Sequence, residues 1–283
     1  MNVTKPEKEK TSISAIIIYT VSILACIIAV IIVICTGFFE NDNLGNTSTD
    51  TSQEIDTQIL KVEFNNIFDN KLDIKNTNIE VKKLENEKDI VFTDYQRKET
   101  KENNYDLDLN IPKINVDTDT IKKYNQEISD TFIKKAENIL ASSNSNSIYT
   151  VQYAATIEDD ILSLVIQSNL KDGNNAQRVI VLTYNYDLKN NEEISLKDLL
   201  ERKNINIASV ENDVRDEISS EKKRVENLKA LGYSVFERNP DDSRYKVENT
   251  KQFFIEDSKI YLIYAYGNDN LTTEMDLVVI TNI

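Results

Sequence analysis

The sequence predicts an α+β fold, a largely antiparallel sheet packed with two long helices, preceded by one N-terminal transmembrane helix. Three observations carry that expectation. Residues 13–39 are apolar or uncharged polar throughout, with no Asp, Glu, Lys or Arg. Beyond them, short stretches alternate apolar and polar residues at the period of a half-buried strand. Two longer stretches, near 117–139 and 206–231, place apolar residues three and four apart, as amphipathic helices do.

At about 1.5 Å per residue the run from Ile13 to Phe39 makes a helix of roughly 40 Å, long enough to cross a hydrocarbon core of about 30 Å with tilt. A run so long and apolar on every face is foreign to a soluble core. A cleaved signal is the stronger competitor, because Lys5, Lys8 and Lys10 form a basic leader and Ile23-Leu24-Ala25-Cys26 resembles a lipoprotein box. Signal h-regions span about 7–15 residues, and here Ile27 to Cys35 carry the apolar run past that cysteine. An uncleaved anchor is the expectation. Lysines precede the run, while Glu40 and Asp42 follow it with no Lys or Arg until Lys61. By the positive-inside rule the N-terminus is cytoplasmic and the rest lies outside, so the expected location is the cell membrane, single-pass.

The segmentation that follows is a cytoplasmic tail at 1–12, the anchor at 13–39, a flexible stalk at 40–58, a small strand-rich segment at 59–103 and the main domain at 104–283. The tail holds 3 of the 33 basic and 2 of the 48 acidic residues, leaving 30 against 46 and a net charge of −16 outside. Such a surface repels nucleic acid and anionic headgroups and attracts cationic partners. Nucleic-acid binding is thereby excluded. Both cysteines, Cys26 and Cys35, sit in the anchor, so the outer part has no disulfide, thiol nucleophile or thiolate metal site. There is no histidine, which removes the Ser-His-Asp triad, the usual general base and the common zinc sets. Carboxylate chemistry and an oxygen-only calcium site remain open. The richness in Asn, Ile and Lys suits an AT-rich bacterial genome.

In chain order, the Asn-, Asp-, Thr- and Ser-rich stretch after Glu40 reads as the stalk. Alternation at Leu60-Val62-Phe64, Ile79-Val81 and Ile90-Phe92 predicts short strands over 59–97, with a helical turn around 64–68. The charged run 98–104 reads as a loop. Tyr105, Leu107, Leu109 and Ile111 form a strand expected to stop at Pro112. Asp117 or Thr118 can cap a helix whose stripe is Ile121, Tyr124, Ile128, Phe132, Ala136 and Ile139. Strands follow at 148–157, 160–170 and 176–188, joined by a hairpin turn at Glu158-Asp159-Asp160 and a longer turn at 171–175. Ser195 caps a short helix to Glu201, with Asp198 placed for a capping box. Val210, Val214, Ile218, Val225 and Leu228 line a helix over 206–231, with Gly232 at its C-cap position. Strands at 252–255, 259–266 and 274–280 finish the chain in meander order.

Candidate chemistry is thin. Glu158, Asp159 and Asp160 cluster, as do Asp241 and Asp242 in Asn239-Pro240-Asp241-Asp242-Ser243. Paired carboxylates can hold calcium or serve as acid and base. Neither group has the alternating ligands and central glycine of an EF-hand loop, and both have the composition of turns. Tyr184, Tyr186, Tyr261, Tyr264 and Tyr266 could form an aromatic platform for a glycan or protein, although strand spacing turns half of them inward. No Gly-x-Ser-x-Gly occurs. No residue is assigned as catalytic, cofactor-binding or metal-ligating, no cofactor is expected, and the chain is read as not an enzyme.

Gly173-Asn174-Asn175-Ala176-Gln177, then Tyr184-Asn185-Tyr186-Asp187-Leu188, then Ile194-Ser195-Leu196-Lys197-Asp198-Leu199-Leu200 resembles the extracytoplasmic C-terminal domain of RsiV-type anti-sigma factors, also attached to some peptidoglycan deacetylases. The resemblance runs from about Tyr105 to Ile283. Gln177 stands where that family has His, and Lys189-Asn190-Asn191 lacks its Thr-Gly turn. The deacetylase's Asp and His ligands have no counterpart, so its activity does not transfer. With about a dozen residues before the anchor there is little to hold a sigma factor. What the resemblance implies is an outward-facing sensor or binding module of the cell envelope. RsiV-type proteins bind lysozyme, a cationic protein that the acidic outer part would suit. The expected function is thus a membrane-anchored, non-catalytic binding or sensor module for a protein or glycan ligand. The alternatives are an anti-sigma-type regulator with a minimal cytoplasmic tail and a cell-wall hydrolase using carboxylates alone.

Overall fold

A computed structural model describes residues 66–68, 79–142, 146–175, 177–231, 238–267 and 273–282. The tail, anchor and stalk expected over 1–58 lie outside those residues. Among the described residues no helix is long and apolar enough to cross a membrane.

The architecture is α+β with antiparallel pairing dominant. Strand β1 (Val91–Lys101) turns back as β2 (Tyr105–Ile114), and the two pair from Val91↔Ile114 to Lys101↔Tyr105. The loop expected at 98–104 is therefore strand as far as Lys101. Its polar residues are matched across the ladder: Gln96 with Asn110 at 3.1 Å, Lys98 with Asp108 at 2.6 Å, Thr100 with Asp106 at 2.7 Å. Charge on an exposed sheet face looks like loop when only one strand is read. Nor does β2 stop at Pro112. Proline gives the ladder no N–H, and β1 accommodates this with one extra residue: Thr93 pairs with Pro112 and Tyr95 with Ile111, leaving Asp94 as a bulge. Ile79 and Val81, read as strand, lie in irregular chain, and the helical turn expected around 64–68 is seen at 66–67.

From β2 the chain enters α1 (Asp119–Ile128), capped by the Thr118 hydroxyl on the Ile121 N–H, and continues through a π turn (Ser129–Ile133) into α2 (Lys134–Ala141). The π turn follows from the apolar spacing. Three successive four-residue steps, Tyr124 to Ile128 to Phe132 to Ala136, use about one residue more than three α turns of 3.6 residues. A single wider turn absorbs that residue and keeps the stripe on one line. Ile121, Ile128, Phe132, Ala136 and Ile139 are all buried.

Strands β3 (Ser147–Glu158), β4 (Ile161–Asp172) and β5 (Arg178–Asp187) follow as antiparallel neighbours. The crossover through α1 and α2 sets β3 parallel to β2 over Tyr105↔Ser147 to Leu109↔Val151. With the short β6 (Glu192–Glu193) the sheet runs β1-β2-β3-β4-β5-β6. Asp159 and Asp160, both at positive φ (48° and 68°), make the two-residue β3–β4 turn. The Ser195 capping box is present: its hydroxyl accepts from the Asp198 N–H at 3.2 Å and Asp198 accepts from the Ser195 N–H at 3.3 Å, opening α3 (Leu196–Arg202). Ser195→Ala is expected to cost about 1 kcal/mol in urea unfolding, the usual loss for a cap. The long helix α4 (Ile207–Ala230) buries Val210, Val214 and Ile218. The side chains of Val225 and Leu228, and Gly232, fall outside the described residues. Strands β7 (Phe253–Glu256), β8 (Lys259–Gly267) and β9 (Thr273–Asn282) form a second antiparallel sheet.

The larger sheet is covered on one face by the helical layer and, over β3–β5, on the other face by the second sheet. Leu107, Leu109, Val151, Leu164, Ile166 and Tyr186 face the α1–α2 stripe. On the other face Ala154, Val165 and Val181 meet Phe254, Tyr261 and Ile263 of the second sheet, together with Ile67. A neighbouring core joins Ile161, Leu196, Leu199 and Val214 to Phe253, Ile255 and Leu262. Strand β4 sits between the layers, and its near-continuous burial, with Ile161, Leu162, Leu164, Val165 and Ile166 in its first half, suits a strand covered on two sides.

Candidate functional site

The residues singled out in the sequence are held in structural roles. Glu158 reaches from the β3–β4 turn to the β7–β8 turn, accepting from the N–H groups of Asp257 (2.6 Å) and Ser258 (3.3 Å). Asp159 pairs with Lys203, and the Asp160 carbonyl accepts from the Leu188 N–H. Asp242 caps the 3₁₀ turn Ser243–Tyr245, accepting from the Arg244 N–H at 2.9 Å with the Arg244 guanidinium at 3.0 Å. These contacts hold its carboxyl below the ordinary range. Asp241 pairs with Arg215 at 3.5 Å. No group of three or more acidic side chains fit to hold a metal occurs among the described residues.

The tyrosines do not make a platform. Tyr184, Tyr186, Tyr261 and Tyr264 are all buried. Tyr184 lies on Tyr124 with centroids 4.7 Å apart, and burial pushes both phenols far up. Tyr186 donates to the Thr118 hydroxyl at 3.1 Å. Tyr264 contacts Tyr245 edge-on and shares a 2.9 Å hydrogen bond with Thr250. The side chain of Tyr266 is outside the described residues.

The Tyr-Asn-Tyr-Asp-Leu motif also turns out to be scaffold. The free edge of β7 lies against the face of the larger sheet, and side chains complete its backbone hydrogen bonds. Thr183 Oγ1 accepts from the Phe253 N–H at 3.1 Å and Asn185 Nδ2 donates to the Phe253 carbonyl at 2.8 Å. Ser163 Oγ accepts from the Ile255 N–H at 3.1 Å, and Thr156 Oγ1 donates to the Ile255 carbonyl. Asp187, 1% exposed, holds the next turn through the N–H groups of Lys189 (2.9 Å) and Asn190 (2.8 Å) and pairs with Arg202 at 2.7 Å. Gln177 is exposed and 3.4 Å from Asn169.

Among the described residues a cleft of about 410 Å³ lies between the start of the helical layer and the β1–β2 hairpin. It forms because Asn115, fully buried, ties the irregular segment 85–89 back to the sheet. Its Oδ1 accepts from the Glu85 N–H at 2.8 Å, and its Nδ2 reaches the carbonyls of Glu87 at 3.1 Å and of Glu85 and Asp89 at 3.3 Å. Across the cleft Asn125 clasps the Ile114 backbone through both ends of its amide, at 2.9 and 2.8 Å. Leu84, Pro112, Ile128 and Ile133 give apolar walls. Lys113 stands between two carboxylates, in a close pair with Glu85 and 3.7 Å from Asp94, and the Glu85 hydrogen bond above all raises its pKa. Lys122 pairs with Asp117 at 2.7 Å; hydrogen bonds from Lys122 and then Lys82 draw the Asp117 carboxyl down to about 2. Sequence reading missed this cleft.

No protein-family model and no curated protein matches the chain. Solved structures do, two of which follow. One is a DUF3298 family protein from Pseudomonas aeruginosa PAO1, 11% identical over 64% of this chain and 83% of that one, with a TM-score of 0.37. The other is a DUF3298 family member from Bacteroides fragilis NCTC 9343, 13% identical over 62% and 80%, with a TM-score of 0.29. The structural neighbours are thus DUF3298 proteins, a likeness too slight to bear on activity.

Proposed function

We propose that the chain is a membrane-anchored, non-catalytic binding or sensor module facing out of a bacterial cell. The observation that carries this reading is the pairing of an uncharged 27-residue run with a histidine-free, cysteine-free region of net charge −16. Support comes also from the buried polar residues Thr183, Asn185 and Asp187, whose hydrogen bonds hold sheet and turn together rather than a substrate. The ligand is a cell-envelope protein or glycan, with a lysozyme-like cationic protein as the partner that the charge favours.

Two measurements test the two halves of this reading. Protease added to intact cells is expected to remove the acidic domain; an untouched domain overturns the topology. Full-length protein in nanodiscs is expected to bind lysozyme at low ionic strength and to release it near 1 M salt, where the screening length falls to about 3 Å. Absence of binding at low salt removes this partner.

A further inference from the structure

The cleft is bounded by two departures from regular backbone, each with its own origin. One is the bulge that Pro112 requires in β1, which turns Asp94 toward it; the other is the π turn Ser129–Ile133 that the helix spacing requires. Bulges re-aim side chains beside sites, and π turns recur at functional positions. That both open onto the same 410 Å³ space singles it out.

The bonding capacity left over in the cleft is selective. Lys113 is held by Glu85 and Lys122 by Asp117. The Asn125 amide is spent on Ile114, and Gln126 donates to Asp130 at 2.8 Å. Among the described residues Asp94 has no ion pair nearer than Lys113 at 3.7 Å, and the Ser129 hydroxyl makes no hydrogen bond to protein. Cations and amide donors are occupied, while the Asp94 carboxylate, with only its longer 3.7 Å pair to Lys113, and the Ser129 hydroxyl keep bonding capacity between apolar walls. From this we infer that the cleft binds a small organic cation, an alkyl ammonium or guanidinium whose charged head meets Asp94 and Ser129 and whose apolar body lies against Leu84, Pro112, Ile128 and Ile133.

The inference shares with the proposed function only the idea that the module binds without catalysis. It does not depend on topology or on the large partner. The test is calorimetric titration of full-length protein with isoamylamine, with 4-methylpentanoate as the anionic counterpart and calcium chloride as the inorganic cation. Saturable isoamylamine binding in the millimolar range or tighter is expected, with no heat from 4-methylpentanoate. Asp94→Asn should weaken it about tenfold or more, the usual consequence of losing one charged hydrogen bond. Glu85→Gln should also weaken it, because Lys113, set free, closes on Asp94. Asp108→Asn, at a carboxylate outside the cleft paired with Lys98, should leave affinity within about twofold. Thermal unfolding of each variant confirms that it is folded. Equal affinity in Asp94→Asn, preference for the carboxylate, calcium displacing the amine, or no amine binding would each overturn the assignment. None of these outcomes touches the protease or lysozyme results.

Discussion

Asp187→Ala is expected to lower stability by about 3 kcal/mol, toward the smaller end of the cost of breaking a buried ion pair because Arg202 keeps contact with water. For a domain of this size that is a fall of roughly 10 °C in Tm. The carboxylate accepts from two backbone N–H groups, the Asn190 amide at 2.8 Å and Arg202, and no water can replace all four in its buried position. Burial pushes this carboxyl up, but the Asn190 N–H, the Arg202 guanidinium and the Asn190 amide together hold it below its ordinary value. A carboxyl depressed in the folded state contributes stability that is fully present above the unfolded pKa of about 3.9. That contribution fades as pH falls from there through the lower folded value. Urea unfolding of wild type and variant should therefore diverge most at neutral pH and converge in acid. A difference under about 1 kcal/mol at pH 7 would show that the turn does not need this anchor.

Asn185→Ala comes next, with an expected loss of roughly 2–3 kcal/mol from the orphaned Phe253 carbonyl and Ser163 hydroxyl. The effect belongs to the joint between the sheets, so it should couple with Ser163→Ala. Ser163 Oγ donates to Asn185 at 2.6 Å while accepting from the Ile255 N–H, and the double variant should cost less than the sum of the singles. Hydrogen exchange at the Ile255 amide should speed up in either variant more than exchange at the β3–β4 ladder. Full additivity, or uniform acceleration everywhere, would mean that β7 is held by apolar packing alone.

Most elements could be read from periodicity, because burial on one face imprints a period of two or near 3.6. The Ser195 capping box and the Asp159-Asp160 turn could be read from residue type, since each demands particular local chemistry. The reading failed where the deciding partner lies far along the chain. Lys98 and Thr100 look like loop until Asp108 and Asp106 are set opposite them. Pro112 looks like a strand end until the Asp94 bulge receives it. The π turn did leave a trace, in the three consecutive four-residue steps from Tyr124 to Ala136. The cleft left none, because it depends on Asn115 gathering carbonyls some 26–30 residues upstream, and a lone asparagine advertises nothing of the kind. Asn185 and Asp187 stood out within a motif, yet a sequence pattern does not distinguish residues kept for docking two sheets from residues kept for a ligand.

The way β7 is finished has a consequence for self-association. A strand as greasy as Phe253-Phe254-Ile255, with bare amides along one side, is a ready template for amyloid growth. Here hydroxyls and a carboxamide from three neighbouring strands stopper that side. Loosening the stopper should therefore show up first as fibrils at temperatures where the rest of the protein is still native.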